Sequence, residues 1–339
     1  MLTELRAKWA KVSPFDVLPP LKWSEQRPTY SDAQPAIINE ALARSQARPS
    51  GNWYPFAAST DIRRKPASAT VAGVELVAWR GTDGDLHIGP ASCPHLGADL
   101  STGTVDCGAL ICPWHGLRLS GERREFGWKP YPAYDDGVLS WVRLDRVGGE
   151  EPTDRPIIPT RPVGATLSAV TRLVGVCEPA DVIANRLDPW HGAWFHPYSF
   201  TRLEVLTAPP AGAAVSDAED RFLVAVTFRL GRLGVPVIAE FTAPEPRTIT
   251  MRIIDGEGTG SVVETHATPV GPGPDGQPRT AVIEAVVAHS DRPNFHYGQR
   301  MAPLITPLMR QAATRLWVDD LAYAERRYAV RTGRVPRIS

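Results

Sequence analysis

Two histidines and an aspartate lie close together in the middle of the chain. Asp188, His191 and His196 follow an Asp-x-x-His-x-x-x-x-His spacing, in a protein that has only 8 histidines. Residues three apart share one face of a helix, but His196 lies about 140° further round a regular helix. Both imidazoles can therefore reach one metal ion only if the helix breaks, and Gly192 and Pro197 permit a break. The alternative interpretation is a polar helix end with two solvated histidines.

Two further pairs of cysteine and histidine lie upstream. Cys93 and His95 form a Cys-x-His pair, and Cys112 and His115 form a Cys-x-x-His pair. Two thiolates and two imidazoles can bind zinc, or a two-iron cluster with the cysteines on one iron and the histidines on the other. Zinc fingers usually draw their ligands from separate cysteine and histidine pairs. Each segment here supplies one of each, which favours the iron–sulfur cluster.

The composition indicates a globular protein of two domains. A chain of 339 residues can bury two cores, and 43% apolar with 22% charged residues is ordinary for such proteins. The formal net charge of +0 gives no general attraction to nucleic acid or anionic lipid. No apolar stretch is long enough for a membrane span, and the first residues lack an apolar signal core. We therefore expect no nucleic-acid partner, no membrane span and a cytoplasmic location.

The remaining cysteines do not suggest a disulfide scaffold. The chain has 4 cysteines, which is too few for such a scaffold at this length. Cys107 and Cys177 lie outside the cysteine–histidine pattern. We expect both to be buried apolar thiols.

Turn residues and hydrophobic patterns divide the chain into four segments. Residues 1–48 predict a helical N-terminal extension, with a second short helix near residues 36–47. Residues 49–147 have regularly spaced glycines, which predict an all-β domain of short strands. Residues 148–162 form a stiff, proline-rich linker. Residues 163–339 predict an α+β domain in which an antiparallel sheet grips a long C-terminal helix.

Turn signals and apolar spacing define the elements of that last domain. Five strands are predicted, at residues 221–230, 235–242, 248–254, 261–268 and 280–288. A helix is predicted over residues 297–331. Its expected apolar stripe consists of Met301, Ile305, Leu308, Ala312 and Leu316.

The sequence resembles a known family at both sets of metal-binding residues. Cys93-Pro-His-Leu-Gly and Cys112-Pro-Trp-His-Gly are similar to the Rieske signature of ring-hydroxylating oxygenases and Rieske ferredoxins. The respiratory type carries a disulfide cysteine where this chain has Ala98 and Trp114. With the downstream aspartate–histidine run, the chain resembles the terminal oxygenase (alpha) component of Rieske non-haem iron oxygenases. The resemblance extends from about Trp53 to the end of the long helix.

The resemblance implies roles for the candidate site residues. A [2Fe-2S] cluster would be held by Cys93, His95, Cys112 and His115. His191 and His196 would bind a mononuclear Fe(II), and Asp188 would connect the cluster of one subunit to the iron of the next. Asn185 matches the family run, whereas the glutamate that often precedes it is replaced by Ala184.

The third iron ligand is expected to be an acid on the long helix, completing two histidines and one carboxylate. Helical phase places Asp319 nearer the centre of the predicted apolar stripe. The family pattern has an acid before the ligand and Glu five residues after it, which favours Asp320 with Glu325. Because prolines disturb the helix, we rely on the family pattern and predict Asp320.

The resemblance also implies partners. Ferredoxin and ferredoxin reductase would supply electrons, since the chain has no flavin or nicotinamide fingerprint. A head-to-tail homotrimer would use O2 to hydroxylate, dioxygenate, demethylate or cyclise an apolar aromatic, steroid or terpenoid-like substrate. The alternative is a Rieske electron carrier or redox sensor with a non-catalytic ligand-binding domain. A basic segment, Arg118, Arg123, Arg124 and Lys129, is either a ferredoxin-docking patch or a solvated face.

Aromatic and sulfur-containing side chains near the iron motif are candidates for the substrate pocket. About a third of them are expected to line it, the rest being ordinary core. The candidates are Trp190, Trp194, Phe195, Tyr198, Phe200, Phe241, Met301, Met309 and Trp317.

Overall fold

The computed structural model describes residues 15–20, 22–120, 125–212 and 215–335. The first helix expected in the N-terminal extension, and Arg123 and Arg124 of the basic segment, lie outside these ranges. The fold class is confirmed: an N-terminal β domain precedes an antiparallel sheet that carries a long helix. No helix in the described ranges is long and apolar enough to cross a membrane.

The described part of the chain contains six α-helices, five short 3-10 turns and seventeen strands. The helices are α1 (Pro35–Gln46), α2 (Asp145–Gly148), α3 (Pro179–Arg186), α4 (Gly192–Phe195), α5 (Phe295–Arg300) and α6 (Ala302–Arg331). The first ten strands are β1 (Asp16–Val17), β2 (Trp53–Ala58), β3 (Ala67–Val71), β4 (Val74–Arg80), β5 (Leu86–Pro90), β6 (Thr104–Asp106), β7 (Ala109–Ile111), β8 (Arg118–Leu119), β9 (Ala133–Asp135) and β10 (Leu139–Arg143). The others are β11 (Leu167–Gly175), β12 (Phe200–Thr207), β13 (Phe222–Leu230), β14 (Leu233–Glu245), β15 (Thr248–Gly256), β16 (Val262–Pro272) and β17 (Pro278–Ala288).

The N-terminal domain consists of three small antiparallel sheets. Their strand orders are β2-β10-β9, β3-β4-β5 and β6-β7-β8. The hairpin between β4 and β5 turns at Asp83-Gly84, and the φ of 88° at Gly84 suits the glycine of an Asp-Gly turn. The loops that follow β5 and β7 carry the two cysteine–histidine pairs.

The C-terminal domain is built on one large antiparallel sheet. Its strand order is β11-β17-β16-β15-β14-β13-β12, and β1 pairs with the start of β14. The five predicted strands correspond to β13 to β17, whereas the sequence analysis did not single out β11 and β12. Between α2 and β11, residues 149–166 form neither helix nor strand.

Strand β17 shows how the sheet is buried on both faces. Side chains alternate along a strand, so neighbouring residues face opposite layers. Ile283 and Ala285 pack with Trp53 and Trp141 of the N-terminal domain. Glu284 lies between them and instead contacts a residue of α6. One face of the sheet therefore packs against the N-terminal domain, and the opposite face packs against the long helix α6.

The long helix differs from the prediction in two ways. It is divided at Met301, which lies between α5 and α6. The predicted apolar stripe is wrong, because Met301 and Leu308 are 51% and 65% exposed. The residues of α6 that are buried instead are Ala313, Trp317, Asp320, Leu321, Ala324 and Tyr328. The predicted buried face was taken from residues in the N-terminal half of the helix. That half contains Pro307 and remains largely exposed, so its apolar spacing does not mark the buried face.

A buried ionic group joins the two domains. Arg161 lies between Asp136, in the turn before β10, and Glu264 of β16. Its Nη1 is 2.9 Å from an Asp136 oxygen, and its Nε and Nη2 donate to Glu264 at 2.6 and 2.7 Å. Trp141 Nε1 also donates to Asp136, at 2.7 Å. Glu264 is fully buried, so the arginine compensates a charge that water does not reach.

Candidate metal centres

The two cysteine–histidine loops come together at one place on the N-terminal domain. The Cys93 and Cys112 side chains are both buried, in the same hydrophobic cluster of the domain. Both histidines are exposed, and the ring centroids of His95 and His115 lie 4.9 Å apart. Two inward sulfurs and two outward imidazoles are the donor arrangement that a Rieske cluster requires.

Each loop turns at a glycine that permits this arrangement. Gly97 and Gly116 have φ values of 78° and 71°, which a side chain would disfavour. The Gly97 N–H donates to the Cys93 carbonyl at 2.8 Å, and the Gly116 N–H to the Cys112 carbonyl at 3.1 Å. In both loops, the backbone therefore turns back at a glycine whose N–H donates to the carbonyl of the cysteine four residues earlier.

The other two cysteines have different surroundings. Cys107 lies in the turn between β6 and β7, with a φ of 47°, and is exposed. The prediction that it is buried is wrong, because a two-residue hairpin turn projects from the sheet. Cys177 is fully buried, as predicted, and burial raises the pKa of its thiol to about 12.

The helix break expected between the two downstream histidines is present. Helix α3 ends at Arg186, a single 3-10 turn covers Pro189–His191, and the short α4 begins at Gly192. His196 follows α4 with φ of −121° and ψ of 55°, which are not helical, so the chain leaves the helix there. This succession of short turns lets side chains that a regular helix would separate face the same point.

His191, His196 and Asp320 meet at that point. The Nε2 atoms of the two histidines lie 3.2 and 2.9 Å from Asp320 Oδ1, and the three donor atoms fall within 4.8 Å of one another. Asn185 Nδ2 also donates to this oxygen, at 3.1 Å. Burial opposes ionisation of Asp320, but hydrogen bonds from both histidines hold its pKa well below the usual range. Two imidazoles and one ionised carboxylate can bind a divalent metal.

Asp319 takes a different place. Its side chain is 37% exposed, compared with 2% for Asp320. The Tyr198 hydroxyl donates to Asp319 Oδ2 at 2.5 Å and lies 3.4 Å from His196 Nδ1. Asp319 is therefore behind His196, on the side of the ring away from Asp320, where it can help to orient the imidazole.

Asp188 is buried next to His191. The His191 Nδ1 contacts the Asp188 carbonyl oxygen and lies 3.8 Å from Oδ2 of its carboxylate. The Tyr323 hydroxyl donates to Oδ2 at 3.2 Å. Oδ1 is buried without a hydrogen-bond partner among the described residues. Burial raises the pKa of this carboxyl.

A cavity of about 280 Å³ opens onto the three candidate ligands. Its wall is mainly apolar and is formed by strands of the large sheet and by α6. Of the predicted lining residues, Phe200, Phe241 and Met309 are present, and the other six are not. Sequence reasoning missed Glu284, whose only signal is an acid within an otherwise apolar strand.

Two family descriptions match the chain. Residues 52–133 match the Rieske [2Fe-2S] domain. Residues 147–335 match a domain of unknown function, DUF5914. The first match covers both cysteine–histidine loops, and the second covers the aspartate–histidine run and Asp320.

Relatives in sequence include an oxygenase component and an oxygenase subunit. The chain is 31% identical over 182 residues to the oxygenase component of 3-ketosteroid-9-alpha-monooxygenase of Rhodococcus rhodochrous, which covers 48% of this chain and 45% of that protein. It is 27% identical over 180 residues to the vanillate O-demethylase oxygenase subunit of a Pseudomonas strain, covering 48% and 49%. The chain thus spans about half the length of these relatives.

Solved structures share the fold over most of the chain. Dicamba monooxygenase bound to dicamba superposes with a TM-score of 0.61 at 19% identity, over 86% of this chain and 93% of that one. The oxygenase of carbazole 1,9a-dioxygenase, in complex with ferredoxin, gives 0.53 at 15% identity, over 91% and 90%. The chain therefore belongs to the DUF5914 family, and it joins that domain to a Rieske [2Fe-2S] domain in the fold of Rieske oxygenase components.

Proposed function

We propose that this protein is the oxygenase component of a Rieske-type multicomponent system. It would use O2 and electrons from a ferredoxin and its reductase to oxidise a small, largely apolar molecule. The observation that carries the proposal is the group of His191, His196 and Asp320, which opens onto an apolar cavity in a chain that also has a Rieske domain. An electron carrier or redox sensor has no use for such a group.

The candidate ligands fit the two cofactors of the family. Cys93, His95, Cys112 and His115 would hold the [2Fe-2S] cluster, and His191, His196 and Asp320 the mononuclear Fe(II). When bound, the two groups supply stored electrons and a site of O2 activation. The protein's own contribution is to keep His196 and Asp320 buried, to hold the Asp320 carboxylate through Asn185 and the His196 ring through Tyr198, and to exclude water with an apolar wall.

Asp188 is proposed as the link between the two centres. Its Oδ1 is buried and lacks a partner within the described chain, so it can accept a hydrogen bond from outside the subunit. Around the exposed His95 and His115, the apolar side chains Leu96 and Trp114 are 62% and 60% exposed. An imidazole from the cluster of a second copy would satisfy Asp188 and cover these side chains. A head-to-tail homotrimer completes this contact in every subunit.

We also propose a ferredoxin as the electron donor and the cytoplasm as the location of the protein. Ferredoxin is the expected donor, and the related carbazole dioxygenase oxygenase is known in complex with one. Of the predicted basic patch, Arg118 forms an exposed pair with Asp106 at 3.0 Å, which reduces its value for docking. Arg123 and Arg124 lie outside the described residues. A cytoplasmic location stays a prediction, which cell fractionation would check.

The substrate class follows from the cavity. Its wall is mainly aliphatic and aromatic, so an aromatic, steroid or terpenoid-like molecule fits it better than a sugar or nucleotide. The named relatives act on a ketosteroid and on vanillate. Hydroxylation, dioxygenation, demethylation and ring closure are all compatible with one such iron site.

Anaerobic metal analysis with an electronic spectrum tests the proposal. We expect about three irons per chain, two in the cluster and one at the mononuclear site, with reddish-brown Rieske absorption. Substrate screening by O2 consumption would follow. About two irons per chain, unchanged after reconstitution with Fe(II), would contradict an oxygenase and favour an electron carrier.

A further inference from the structure

Glu284 is an acid in the wall of an otherwise apolar cavity. It is 4% exposed and lies on β17, facing α6. Both of its side-chain hydrogen bonds reach one oxygen: Trp317 Nε1 donates to Oε2 at 2.5 Å, and the Thr265 hydroxyl at 3.3 Å. The other oxygen, Oε1, receives neither. A buried carboxylate with one oxygen fixed by two donors presents the second oxygen in a defined direction.

Arg186 lines the same cavity from the end of α3. Its guanidinium lies 5.8 Å from the ring centroids of Phe241 and Trp317, so two aromatic side chains hold it in place. Its Nε is buried and has no hydrogen-bond partner in the described part of the chain. The arginine therefore has one donor, Nε, that no described residue satisfies.

Arg186 and Glu284 interact electrostatically but do not form a salt bridge. Burial raises the pKa of Glu284, and the charge of Arg186 opposes this effect. Within the described ranges no salt bridge joins the two side chains. Their charged atoms are therefore more than 4.0 Å apart, although both side chains line one cavity. A buried polar group without a partner is costly unless a ligand satisfies it.

The pair lies near the candidate iron ligands. Trp317, which holds Glu284, precedes Asp320 by three residues on α6, or about 4.5 Å along the helix axis. Arg186 precedes Asp188 by two residues. A molecule bound by both side chains would have its apolar body in the cavity beside the three ligands.

We propose that Arg186 and Glu284 together bind a neutral, amide-like group of the substrate. Its carbonyl oxygen accepts from Arg186, and its N–H donates to Glu284. A carboxylate would be repelled by Glu284, and an ammonium group by Arg186, whereas a carboxamide satisfies both residues. This inference rests on the proposed function, since it names the class of molecule that the oxygenase holds: an apolar ring system bearing a carboxamide.

Calorimetry on the anaerobic holoenzyme tests this with four probes of one shape. They are naphthalenecarboxamide, acetonaphthone, naphthoate and naphthylmethylamine. Acetonaphthone keeps the carbonyl but lacks the N–H, so we expect it to bind about tenfold more weakly than the carboxamide. The two charged probes should bind more weakly than the carboxamide as well.

Two variants distinguish the role of Glu284, which accepts from the N–H of the probe, from that of Arg186, which donates to its carbonyl. Glu284→Gln should bring the carboxamide and the ketone to similar affinity, because its side chain still accepts from Trp317 but no longer favours the probe's N–H. Arg186→Met should weaken both by about tenfold, since both use the carbonyl. Val286→Ala, on the same face of β17, is the matched control. It should weaken both probes equally and keep their ratio.

Several results would overturn the assignment. They are equal binding of carboxamide and ketone to the wild-type protein, no binding of the carboxamide, tightest binding of naphthoate, or an unchanged ratio in Glu284→Gln. Cluster absorption and the thermal midpoint check that each variant is folded. Iron content is measured on the same samples: two irons with a preserved carboxamide preference contradict only the oxygenase proposal, and three irons without that preference contradict only this one.

Discussion

The Tyr323 hydroxyl donates a hydrogen bond to Asp188 Oδ2 at 3.2 Å and leaves Oδ1 of the same carboxylate without a partner in the described chain. Tyr323 lies one turn after Asp320 on α6, so the helix that supplies a candidate iron ligand also positions the candidate electron link. One oxygen of Asp188 is thus fixed inside the subunit, and the other is available to a neighbouring one.

Removing this carboxylate should disconnect the two metal centres without emptying them. In Asp188→Ala, we expect the iron content and the Rieske spectrum to stay as in the wild type. O2 should reoxidise the reduced cluster about 10- to 100-fold more slowly than in the wild type. The rate is measured from the visible absorption of the cluster, in the presence of a substrate that the wild type turns over. Normal product formation in this variant would exclude the bridging role.

Tyr323→Phe is the matched control for that experiment. It removes the hydroxyl that orients Asp188 but keeps the carboxylate and its neighbour His191. We expect a smaller loss than in Asp188→Ala, because a net hydrogen bond is worth only about 1 kcal/mol. If Tyr323→Phe were as slow as Asp188→Ala, the tyrosine rather than the carboxylate would be the essential group.

The two adjacent acids on α6 should differ in their effect on iron binding. Asp320→Ala removes the one carboxylate oxygen that lies close to both histidine Nε2 atoms among the described residues, so we expect the iron content to fall from about three to about two per chain. Asp319→Ala removes only the partner of Tyr198, so iron should still bind when Fe(II) is in excess, with affinity reduced about 10- to 100-fold. Iron titration followed by metal analysis distinguishes the two. The reverse result would make Asp319 the ligand.

Local sequence patterns were enough to predict most of the fold. The strands β13 to β17 are long apolar runs between turn residues, which is why their sequence pattern is clear. Strands β11 and β12 escaped notice because they lie at the two ends of the sheet path, where polar residues such as Arg172 and Glu204 interrupt the pattern. The helix stripe failed because tertiary packing buries only the C-terminal half of α6.

The candidate site was predictable where residue spacing carries the chemistry. The cysteine–histidine pairs and His191 with His196 are spaced for metal binding, and the structure brings each set together. Glu284 and Arg186 were not singled out as a pair, since they are almost a hundred positions apart in sequence and meet only because the sheet and α3 enclose one cavity. Trp194 and Met301 were expected in the pocket by residue type, which says nothing of the direction of a side chain.

Removing Arg161 should destabilise the junction between the domains. Burial raises the pKa of Glu264, but hydrogen bonds from Arg161 and His266 outweigh it and lower the pKa overall. Arg161→Met leaves this buried carboxylate without its main partner, which should reduce the free energy of unfolding by about 3–5 kcal/mol. Urea titration followed by circular dichroism measures the loss.

A pair on the same sheet provides the control for that measurement. Arg221 and Glu240 lie 2.8 Å apart, with 46% and 21% of their side chains exposed. Arg221→Met should cost less than about 1 kcal/mol, because water screens a surface ion pair. The double variant Arg161→Met with Glu264→Leu should recover only part of the loss, since the Glu264 charge is gone while the Asp136 carboxylate still lacks its arginine. Equal losses in the two single arginine variants would contradict the role of burial.

Thiol labelling should separate the two cysteines that lie outside the cluster loops. Cys107 is exposed, so in the folded holoprotein it should react rapidly with an aromatic disulfide at pH 8, and Cys107→Ser should abolish this phase. Cys177 is buried with a pKa of about 12, so it should react only on unfolding. Because its folded pKa lies above the ordinary thiol value of 9.0, Cys177 contributes stability that is complete below pH 9 and is lost as the pH rises towards 12. Cys177→Ala should therefore show a shallower fall of the free energy of unfolding across that range, and an identical fall in both proteins would contradict the burial of a protonated thiol.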